Sequence, residues 1–323
     1  MLYKTLGISL LMTCQAWFIL ANASIEHPKN IETKSIEATQ EVPSIESYCN
    51  ELSKKLRTVK YQGCLDLDLE TTPHRSVKGR LLTQRHFKPA DQFKHLPEGR
   101  ILFISGIHGD EYSAISMTYL WMQNMLKNQD QTRQHWLFFP LVNPDGLFRS
   151  PATRINANNI DLNRNLPSPD WDELALDYWK KYYKKNKRRY PGQAANSEPE
   201  TQWLVKTIEE FKPDAIISIH APYGLLDYDG PDHAVPNKIG GLKHRELGTY
   251  PGSLGRYAGE YLKIPVLTLE LRSAGSMPSQ KEIFTMWQDV EKWTMTKIQG
   301  MDDHAVQQAY NQAKVIENGI VKN

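Results

Sequence analysis

The chain has 323 residues, which is enough for one large α/β domain or two small ones. Its 39 Lys and Arg nearly balance its 37 Asp and Glu, and the formal net charge is only +2. So small a net charge excludes any global argument for a nucleic-acid partner. The apolar content of 40% is ordinary for a globular protein.

The first 23 residues differ in composition from the rest of the chain. Lys4 is followed by an apolar run over 6–20 and by Ala-Asn-Ala at 21–23. A basic start, an apolar core and an Ala-x-Ala end are typical of a cleavable secretory signal. An uncleaved membrane anchor is the alternative, but the apolar run is short for a spanning helix. We expect cleavage after Ala23, a periplasmic or secreted location, and no membrane segment in the mature form.

Cleavage there would leave two cysteines, Cys49 and Cys64, in the mature chain. An even pair of cysteines in an exported protein favours a disulfide bond in an oxidising periplasm. Two unpaired thiols are the alternative.

Residues 24–43 are polar and are predicted to form a flexible linker after the signal. Hydrophobic periodicity and turn residues predict the elements that follow. In chain order they are a helix at 45–56, strands at 62–69, 77–84 and 100–106, a helix at 111–127, a strand at 135–142, helices at 171–188 and 197–211, a strand at 215–219, a helix at 253–262, a strand at 266–271, and helices at 279–298 and 302–316. Strands that alternate with helices predict a mainly parallel or mixed sheet covered on both faces.

Seven Lys and Arg residues fall within the range 180–189. We interpret this run as a solvated helix face with a cationic last turn, which suits the helix dipole. The alternative is weak attraction to an anionic cell-wall polymer.

A His and a Glu lie where a predicted strand gives way to a predicted helix. Residues 105–111 are Ser-Gly-Ile-His-Gly-Asp-Glu. Open α/β sheets place their ligand sites at such carboxyl ends of strands. His108 and Glu111 would supply two of the three protein ligands that a catalytic zinc site usually takes. Alone, His108 could be an ordinary turn histidine and Glu111 an acidic residue that opens a helix.

Three later segments supply further candidates. The polar loop 154–165 contains Arg154 and Arg164, and arginine binds carboxylates through two parallel hydrogen bonds. His220 ends a buried strand, and Glu270 interrupts an apolar one. A buried lone carboxylate is costly unless it is paired, bound to metal or catalytic. The structural alternatives are a core histidine, a Glu270–Arg272 pair, and an ion-pair network in which Asp161 supports the two arginines.

Taken together and in order, these residues resemble the zinc carboxypeptidase family. The shared elements are His-x-x-Glu at 108–111, Arg154, Asp-Leu-Asn-Arg-Asn at 161–165, His220 and Glu270. The match in order and spacing extends over about residues 100–275. Within the family, three segments are similar to bacterial murein peptide amidases: 153–158, His-Ala-Pro at 220–222, and Tyr-Pro-Gly-Ser-Leu-Gly at 250–255.

The resemblance implies a role for each of these residues. His108, Glu111 and His220 would hold one Zn²⁺ per chain, with water in the open position. Glu270 would act as the general base and pass the proton to the leaving amine. Arg154 would stabilise the oxyanion of the tetrahedral intermediate.

Other residues would bind the substrate. Asn163 and Arg164 would hold the free carboxylate of the residue that is released, and Tyr250 would close over the substrate. Asp227 or Asp229 could bind the side-chain ammonium of a diaminopimelate residue. For these two, the alternative is an ordinary surface turn of Asp, Gly and Pro residues.

The fold that the resemblance implies is a single α/β domain over 44–323. Its mixed, twisted sheet would have about eight strands, with helices on both faces. Residues 44–90 precede the region of resemblance, and they would add edge strands to the sheet or form a small cap.

The activity that the resemblance implies is zinc-dependent hydrolysis of an amide next to a free carboxylate. We expect the γ-D-glutamyl–diaminopimelate bond of murein peptides, which an exported enzyme would meet in the cell wall. The alternatives are a metallocarboxypeptidase for ordinary peptides, a zinc acylase for acidic amino acids, and a non-catalytic binding protein. The last would lack a ligand or the base, and none is missing. The expected partner is a peptide substrate and not nucleic acid, while the oligomeric state stays open.

Overall fold

The computed structural model describes residues 43–96 and 99–298. The predicted signal peptide at 1–23, the predicted linker up to residue 42 and the helix predicted at 302–316 lie outside these ranges. Among the described helices, none combines the length and the apolar character needed to cross a bilayer.

The described strands form one seven-stranded sheet and a separate two-stranded hairpin. They are Glu70–Arg75 (β1), Leu81–Phe87 (β2), Arg100–Ser105 (β3), His135–Phe139 (β4), Ala215–His220 (β5), Leu225–Asp229 (β6), Lys238–Ile239 (β7), Leu242–Lys243 (β8) and Val266–Glu270 (β9). The order in the main sheet is β1-β2-β4-β3-β5-β9-β6. The four central strands are parallel, whereas every pair that includes β1, β2 or β6 is antiparallel.

The central strands are continuously apolar because both faces of the sheet are covered. In β3, Ile101 and Phe103 belong to one hydrophobic core, and Leu102 and Ile104 belong to the other. All four side chains are fully buried. Side chains alternate along a strand, so an uninterrupted apolar run is what a strand buried on both faces requires.

The helices divide between the two faces. They are Ile45–Lys55 (α1), Tyr61–Leu65 (α2), Tyr112–Lys127 (α3), Pro144–Phe148 (α4), Trp171–Lys181 (α5), Pro199–Phe211 (α6), a π-helix at Gly255–Tyr261, and Gln280–Lys297 (α7). Side chains of α1, α3 and α7 fill the first core, and those of α6 and the π-helix fill the second. The expected mixed α/β fold with helices on both faces is confirmed, with seven strands in the main sheet rather than about eight.

The segment 44–90 contributes both a helical layer and one edge of the sheet. Its strands β1 and β2 form that edge, and its helix α1 packs on α3, where the hydroxyls of Tyr48 and Tyr119 lie 2.8 Å apart. The strand predicted at 62–69 is wrong, because Cys64 lies in the short helix α2 and the first strand begins only at Glu70. The sulfur of Cys64 is bonded to that of Cys49 on α1.

The basic run at 180–189 also differs from its prediction. Helix α5 ends at Lys181, so only the first two basic residues lie in it. Lys184 and Lys185 have φ angles of 50° and 57°, in the left-handed region, where a helix of L-residues cannot continue. A short 3₁₀ turn at Lys187–Arg189 follows. The predicted solvated helix face is therefore wrong for 182–189.

Three parallel neighbours, β3, β5 and β9, bring their carboxyl ends to the same edge of the sheet. Residue Ser105 of β3 pairs with Ile219 of β5, and His220 of β5 pairs with Glu270 of β9. Ligand sites in open α/β sheets lie outside such carboxyl ends. The sheet register thus decides which loops can meet.

We expect the disulfide to stabilise the segment that forms the sheet edge. Cys49 and Cys64 are 15 residues apart, and both are fully buried. Replacing both by alanine should lower the free energy of unfolding by about 3 kcal/mol, because the unfolded chain regains loop entropy. Urea unfolding measures the difference. Dithiothreitol should destabilise the wild type and leave the double variant unchanged, whereas equal midpoints in oxidising buffer would contradict the expectation.

Candidate active site

Three side chains converge beyond the carboxyl ends of β3 and β5. His108 Nδ1 lies 2.8 Å from Glu111 Oε1, and His220 Nδ1 lies 3.0 Å from Glu111 Oε2. The two Nδ1 atoms are 3.1 Å apart. All three residues are buried. Two imidazoles and a carboxylate, with their ligand atoms all within 4.8 Å of one another, could hold a metal ion, and they match the ligand types of a catalytic zinc site.

Second partners orient the two histidines towards this point. Asp161 Oδ1 lies 3.2 Å from His108 Nε2, and a carboxylate only accepts, so Nε2 carries the proton. Ser218 Oγ lies 3.0 Å from His220 Nε2 and can accept in the same way. Each histidine then keeps the lone pair of Nδ1 for a metal.

The charges around the point also suit a cation. Burial and then the Arg154 guanidinium lower the pKa of His108, which keeps it in the neutral form that metals bind. Burial would raise the pKa of Glu111, but His108 and His220 outweigh it and hold the pKa far below its usual range. Burial would lower the pKa of His220, yet the Glu111 carboxylate raises it. A bound Zn²⁺ would take the place of that proton.

The loop that carries His108 and Glu111 is held by tight backbone packing. A β-carbon on Gly109 would lie 2.2 Å from the backbone nitrogen of Leu147, so only glycine fits between the two ligands. Asn143, which caps α4, donates its side-chain amide to the carbonyl oxygens of Ile107 and Arg154, at 3.4 and 3.0 Å. The side chain of Asn143 therefore supports both the loop that carries His108 and the backbone of Arg154.

Arg154 is buried beside the metal ligands and has a fixed orientation. Its Nε donates to Asp161 Oδ2 at 2.8 Å, and its Nη1 lies 3.1 Å from His108 Nδ1. Burial would lower the pKa of Arg154, but Asp161 and then Glu111 raise it, so its charge is permanent. Asp161, which is fully buried, holds the histidine and the arginine together. The sequence predicted only its contact with arginine.

Asn163 and Arg164 form a candidate carboxylate-binding pair. Asn163 Oδ1 accepts a hydrogen bond from the backbone N–H of Leu254 at 2.8 Å, and within the described residues its amide nitrogen has no partner. Arg164 Nη2 donates to the Tyr183 hydroxyl at 2.9 Å. The guanidinium also lies 4.5 Å from the ring centre of Tyr250, which fixes its plane. Both residues thus keep donors for a ligand.

Glu270 lies at the end of β9, beside His220. It is only 7% exposed, and its Oε2 accepts a long hydrogen bond of 3.4 Å from the backbone N–H of Tyr223. Burial raises the pKa of Glu270 to about 7, with His220 opposing the shift and Glu111 adding to it. A carboxylate with a pKa near neutrality is suited to general-base catalysis.

Two more carboxylates lie further along the same face of the sheet. In the register, Leu225 of β6 pairs with Glu270, Asp227 pairs with Thr268, and Asp229 pairs with Val266. Side chains two residues apart share a face, so Asp227 and Asp229 stand about 7 and 13 Å behind the Glu270 row. Burial, and then Asp227, raise the pKa of Asp229 to about 7.

All nine of the predicted metal, catalytic and substrate-binding residues line one cavity of about 550 Å³. The sequence did not single out four polar residues that orient them or narrow the cavity mouth, namely Asn143, Tyr183, Ser218 and Tyr223, and it marked Arg189 only as part of the basic run at 180–189. Ser218 carried a usable signal, because it lies two residues before His220 on the same face of a strand. The other three come from distant parts of the chain and gave none.

This fold and this site define a class of protein. A family model described as zinc carboxypeptidase (peptidase M14) matches residues 70–238, more than half of the chain. The chain belongs to the zinc carboxypeptidase family, and it is a zinc metallopeptidase, that is, a hydrolase.

Particular relatives narrow the comparison. The chain is 28% identical to murein peptide amidase A of Escherichia coli K12 over 205 residues, 57% of this chain and 76% of that protein. It is 29% identical to murein peptide amidase A of Vibrio campbellii over 181 residues, 53% of this chain and 69% of that protein. The crystal structure of murein-tripeptide amidase MpaA from Escherichia coli O157 superposes with a TM-score of 0.50 at 26% identity. It covers 68% of this chain and 90% of that one.

A more distant structure shows the same fold. Thrombin-activatable fibrinolysis inhibitor superposes with a TM-score of 0.55 at 17% identity, covering 78% of this chain and 73% of that one.

We expect the metal-free protein to bind one Zn²⁺ per chain through His108, Glu111 and His220. Replacing His220 by alanine removes one of three ligands and should weaken zinc binding by at least about 100-fold. Isothermal titration calorimetry on the chelator-treated protein measures stoichiometry and affinity. His233→Ala, which alters an exposed histidine outside the cavity, is the matched control and should bind zinc as the wild type does. Wild-type affinity in His220→Ala would refute the ligand assignment.

Proposed function

We propose that this enzyme hydrolyses the amide between the γ-carboxyl of D-glutamate and diaminopimelate in murein peptides. The observation that carries the proposal is the order of charges in the cavity. The donors of Asn163 and Arg164 lie near the ligand set, and the carboxylates of Asp227 and Asp229 form an acidic floor beyond them. Diaminopimelate carries a carboxylate beside the scissile amide and an ammonium at the far end of its side chain.

The floor and the carboxylate pair are close enough to bind one residue together. Asp229 Oδ2 would be 2.0 Å from a β-carbon on Gly255, so the absence of a side chain there makes room for the carboxylate. Gly255 follows Leu254, whose backbone N–H donates to Asn163. A released residue whose carboxylate binds Asn163 would therefore have its side chain directed towards Asp229.

The chain's own residues can carry out the remaining steps. When bound, Zn²⁺ would polarise the scissile carbonyl and make a water molecule more acidic. Glu270 would take a proton from that water and deliver it to the leaving amine, which its near-neutral pKa favours. Arg154, already oriented by Asp161, would stabilise the negative charge on the carbonyl oxygen. Asn163 and Arg164 would hold the released residue in register.

The acidic floor also weighs against the alternative substrates. A zinc acylase for acidic amino acids would place a carboxylate with no accompanying ammonium next to Asp227 and Asp229, whereas the distal end of diaminopimelate carries both groups. A carboxypeptidase for apolar C-terminal residues would leave the Asp229 carboxylate without a partner among the described residues, which is costly in a partly buried site. Asp227 Oδ1 already accepts from the backbone N–H of Leu247 at 3.0 Å. The two murein peptide amidases compared above support the same substrate class. The predicted signal peptide would bring the enzyme to murein in the periplasm.

The direct test is release of diaminopimelate from L-alanyl-γ-D-glutamyl-diaminopimelate by the zinc-loaded protein. We expect release by the wild type and a loss of at least about 100-fold in kcat for Glu270→Gln, because the amide cannot accept the proton. Chromatographic quantification of free diaminopimelate provides the rates. Glu173→Gln, on the exposed face of α5, is the matched control. Zinc binding without any release would leave the metal site intact and reject the substrate.

The role of the floor can be separated from the chemistry by changing the released residue. We expect the wild type to prefer γ-D-glutamyl-L-lysine over γ-D-glutamyl-L-norleucine, because only lysine carries an ammonium for Asp229. The preference in kcat/KM should fall about tenfold or more in Asp229→Asn. It should also fall in the wild type as the pH drops through about 7, where Asp229 becomes neutral.

Glu270 titrates in the same range, but its effect is common to both peptides and cancels in their ratio. Asp232→Asn, an exposed neighbour, is the control and should keep the wild-type preference. Equal losses on the lysine and norleucine peptides would show that Asp229 is structural.

A further inference from the structure

The basic segment after α5 folds back across the mouth of the cavity. Asn186 accepts a hydrogen bond from the backbone N–H of Arg188 at 2.9 Å, which shapes the turn. Arg188 Nη2 then donates to Asp110 Oδ2 at 2.7 Å, and Asp110 lies between the two ligands of the His108 loop. The ion pair ties the segment to the metal-binding loop and neutralises the charge of Arg188.

Arg189, the next residue, is a cation without a carboxylate partner among the described residues. Its Nη2 donates to the Tyr223 hydroxyl at 3.4 Å, and its guanidinium lies 5.5 Å from the ring centre of Tyr183. It is partly buried and lines the cavity. Aromatic contacts orient a guanidinium but leave its charge unpaired, so Arg189 can still bind an anion.

The two tyrosines place Arg189 relative to the catalytic residues. The backbone N–H of Tyr223 donates to Glu270, and the hydroxyl of Tyr183 accepts from Arg164. Arg189 therefore lies at the mouth, between the residue next to the general base and the residue next to the carboxylate pair. A ligand group bound there would be on the solvent side of the scissile amide.

The cavity thus has three charged levels. The floor is acidic at Asp227 and Asp229, the middle is cationic at Arg164, and the mouth is cationic at Arg189. The complementary ligand carries an ammonium at one end, a carboxylate in the middle and a second carboxylate towards the other end. An α-linked peptide of neutral residues has no carboxylate at the third level, whereas a γ-linked glutamyl residue does.

We propose that Arg189 binds the α-carboxylate of the D-glutamyl residue on the acyl side of the scissile bond. The assignment rests on the proposed function. In a γ-linked glutamate this carboxylate is attached three carbons from the scissile carbonyl, within reach of the mouth. The distal carboxylate of diaminopimelate is the other source of the same chemistry, but its side chain leads towards the acidic floor. Arg189 would then select γ-linked acidic residues, independently of Arg164.

The test combines substitutions of Arg189 with two separate changes to the substrate. The peptides are L-alanyl-γ-D-glutamyl-diaminopimelate, its D-isoglutamine analogue with an amide in place of the glutamyl α-carboxylate, and the analogue amidated at the distal diaminopimelate carboxylate. The zinc-loaded variants are Arg189→Gln, Arg189→Lys and the control Lys187→Gln, an exposed neighbour outside the cavity lining. KM and kcat are measured for each enzyme variant with each peptide.

Arg189→Gln should raise KM for the parent peptide about tenfold and leave kcat nearly unchanged, since the contact is with a non-reacting carboxylate. The isoglutamine analogue should show the same rise with the wild type and no further rise with Arg189→Gln. Arg189→Lys should recover part of the loss, and Lys187→Gln should behave as the wild type does. Distal amidation should affect the wild type and Arg189→Gln equally.

Two outcomes would overturn the assignment while the proposed function stands. If Arg189→Gln weakens the parent and isoglutamine peptides equally, the residue is structural. If distal amidation, rather than isoglutamine, removes the effect of the substitution, the bound carboxylate belongs to diaminopimelate. If the wild type neither cleaves nor binds any of the three peptides, the proposed function itself fails.

Discussion

The parallel register of β3, β5 and β9 is the constraint on which the rest of the site depends. Because these strands are direct neighbours and point the same way, the loop after β3, His220 and Glu270 emerge at one edge of the sheet. Pairing His220 with Glu270 places a candidate metal ligand next to the candidate general base. A shift of one residue in either strand would turn its side chain to the opposite face. The continuous apolar burial of the central strands holds that register.

Buried charge is the second organising feature of the site. The carboxylate of Asp161 contacts two of the buried polar groups. Asp161 accepts from Arg154 and from His108, so a single carboxylate orients an anion-stabilising cation and a metal ligand. Its pKa lies well below the usual range, because Arg154 and His108 outweigh the effect of burial. Ion pairs this deep are poor sources of stability, since desolvation offsets the attraction. Their value here is orientation, which catalysis requires more than stability does.

In the cavity, the positions of the charged side chains matter more than their net charge. Asp229 and Glu270 both have a pKa raised to about 7 by burial, so each costs stability when it ionises, and that cost grows as the pH rises from about 4 to 7. Groups held at such a cost belong to ligand recognition or catalysis more often than to folding. The mouth differs, because the Arg189 guanidinium there lies beside the ring of Tyr183 and has no carboxylate partner among the described residues. An acidic floor, a cationic middle and a cationic mouth together are complementary to one extended ligand with an ammonium and two carboxylates.

The sequence by itself determined the family, the residue types of the site and the elements whose burial follows a local period. His-x-x-Glu at 108–111 and the lone carboxylate Glu270 could be identified as site candidates from the sequence, because charged residues are unexpected beside or within apolar strands. Only the tertiary structure decided that Asp161 reaches His108, 53 residues away, and that Cys64 lies in a helix joined to α1. It also turned the run after Lys181 from an expected helix face into the wall of the cavity mouth. Local patterns record which side of an element is buried, whereas partners distant along the chain are chosen by packing, which leaves no periodic trace in the sequence.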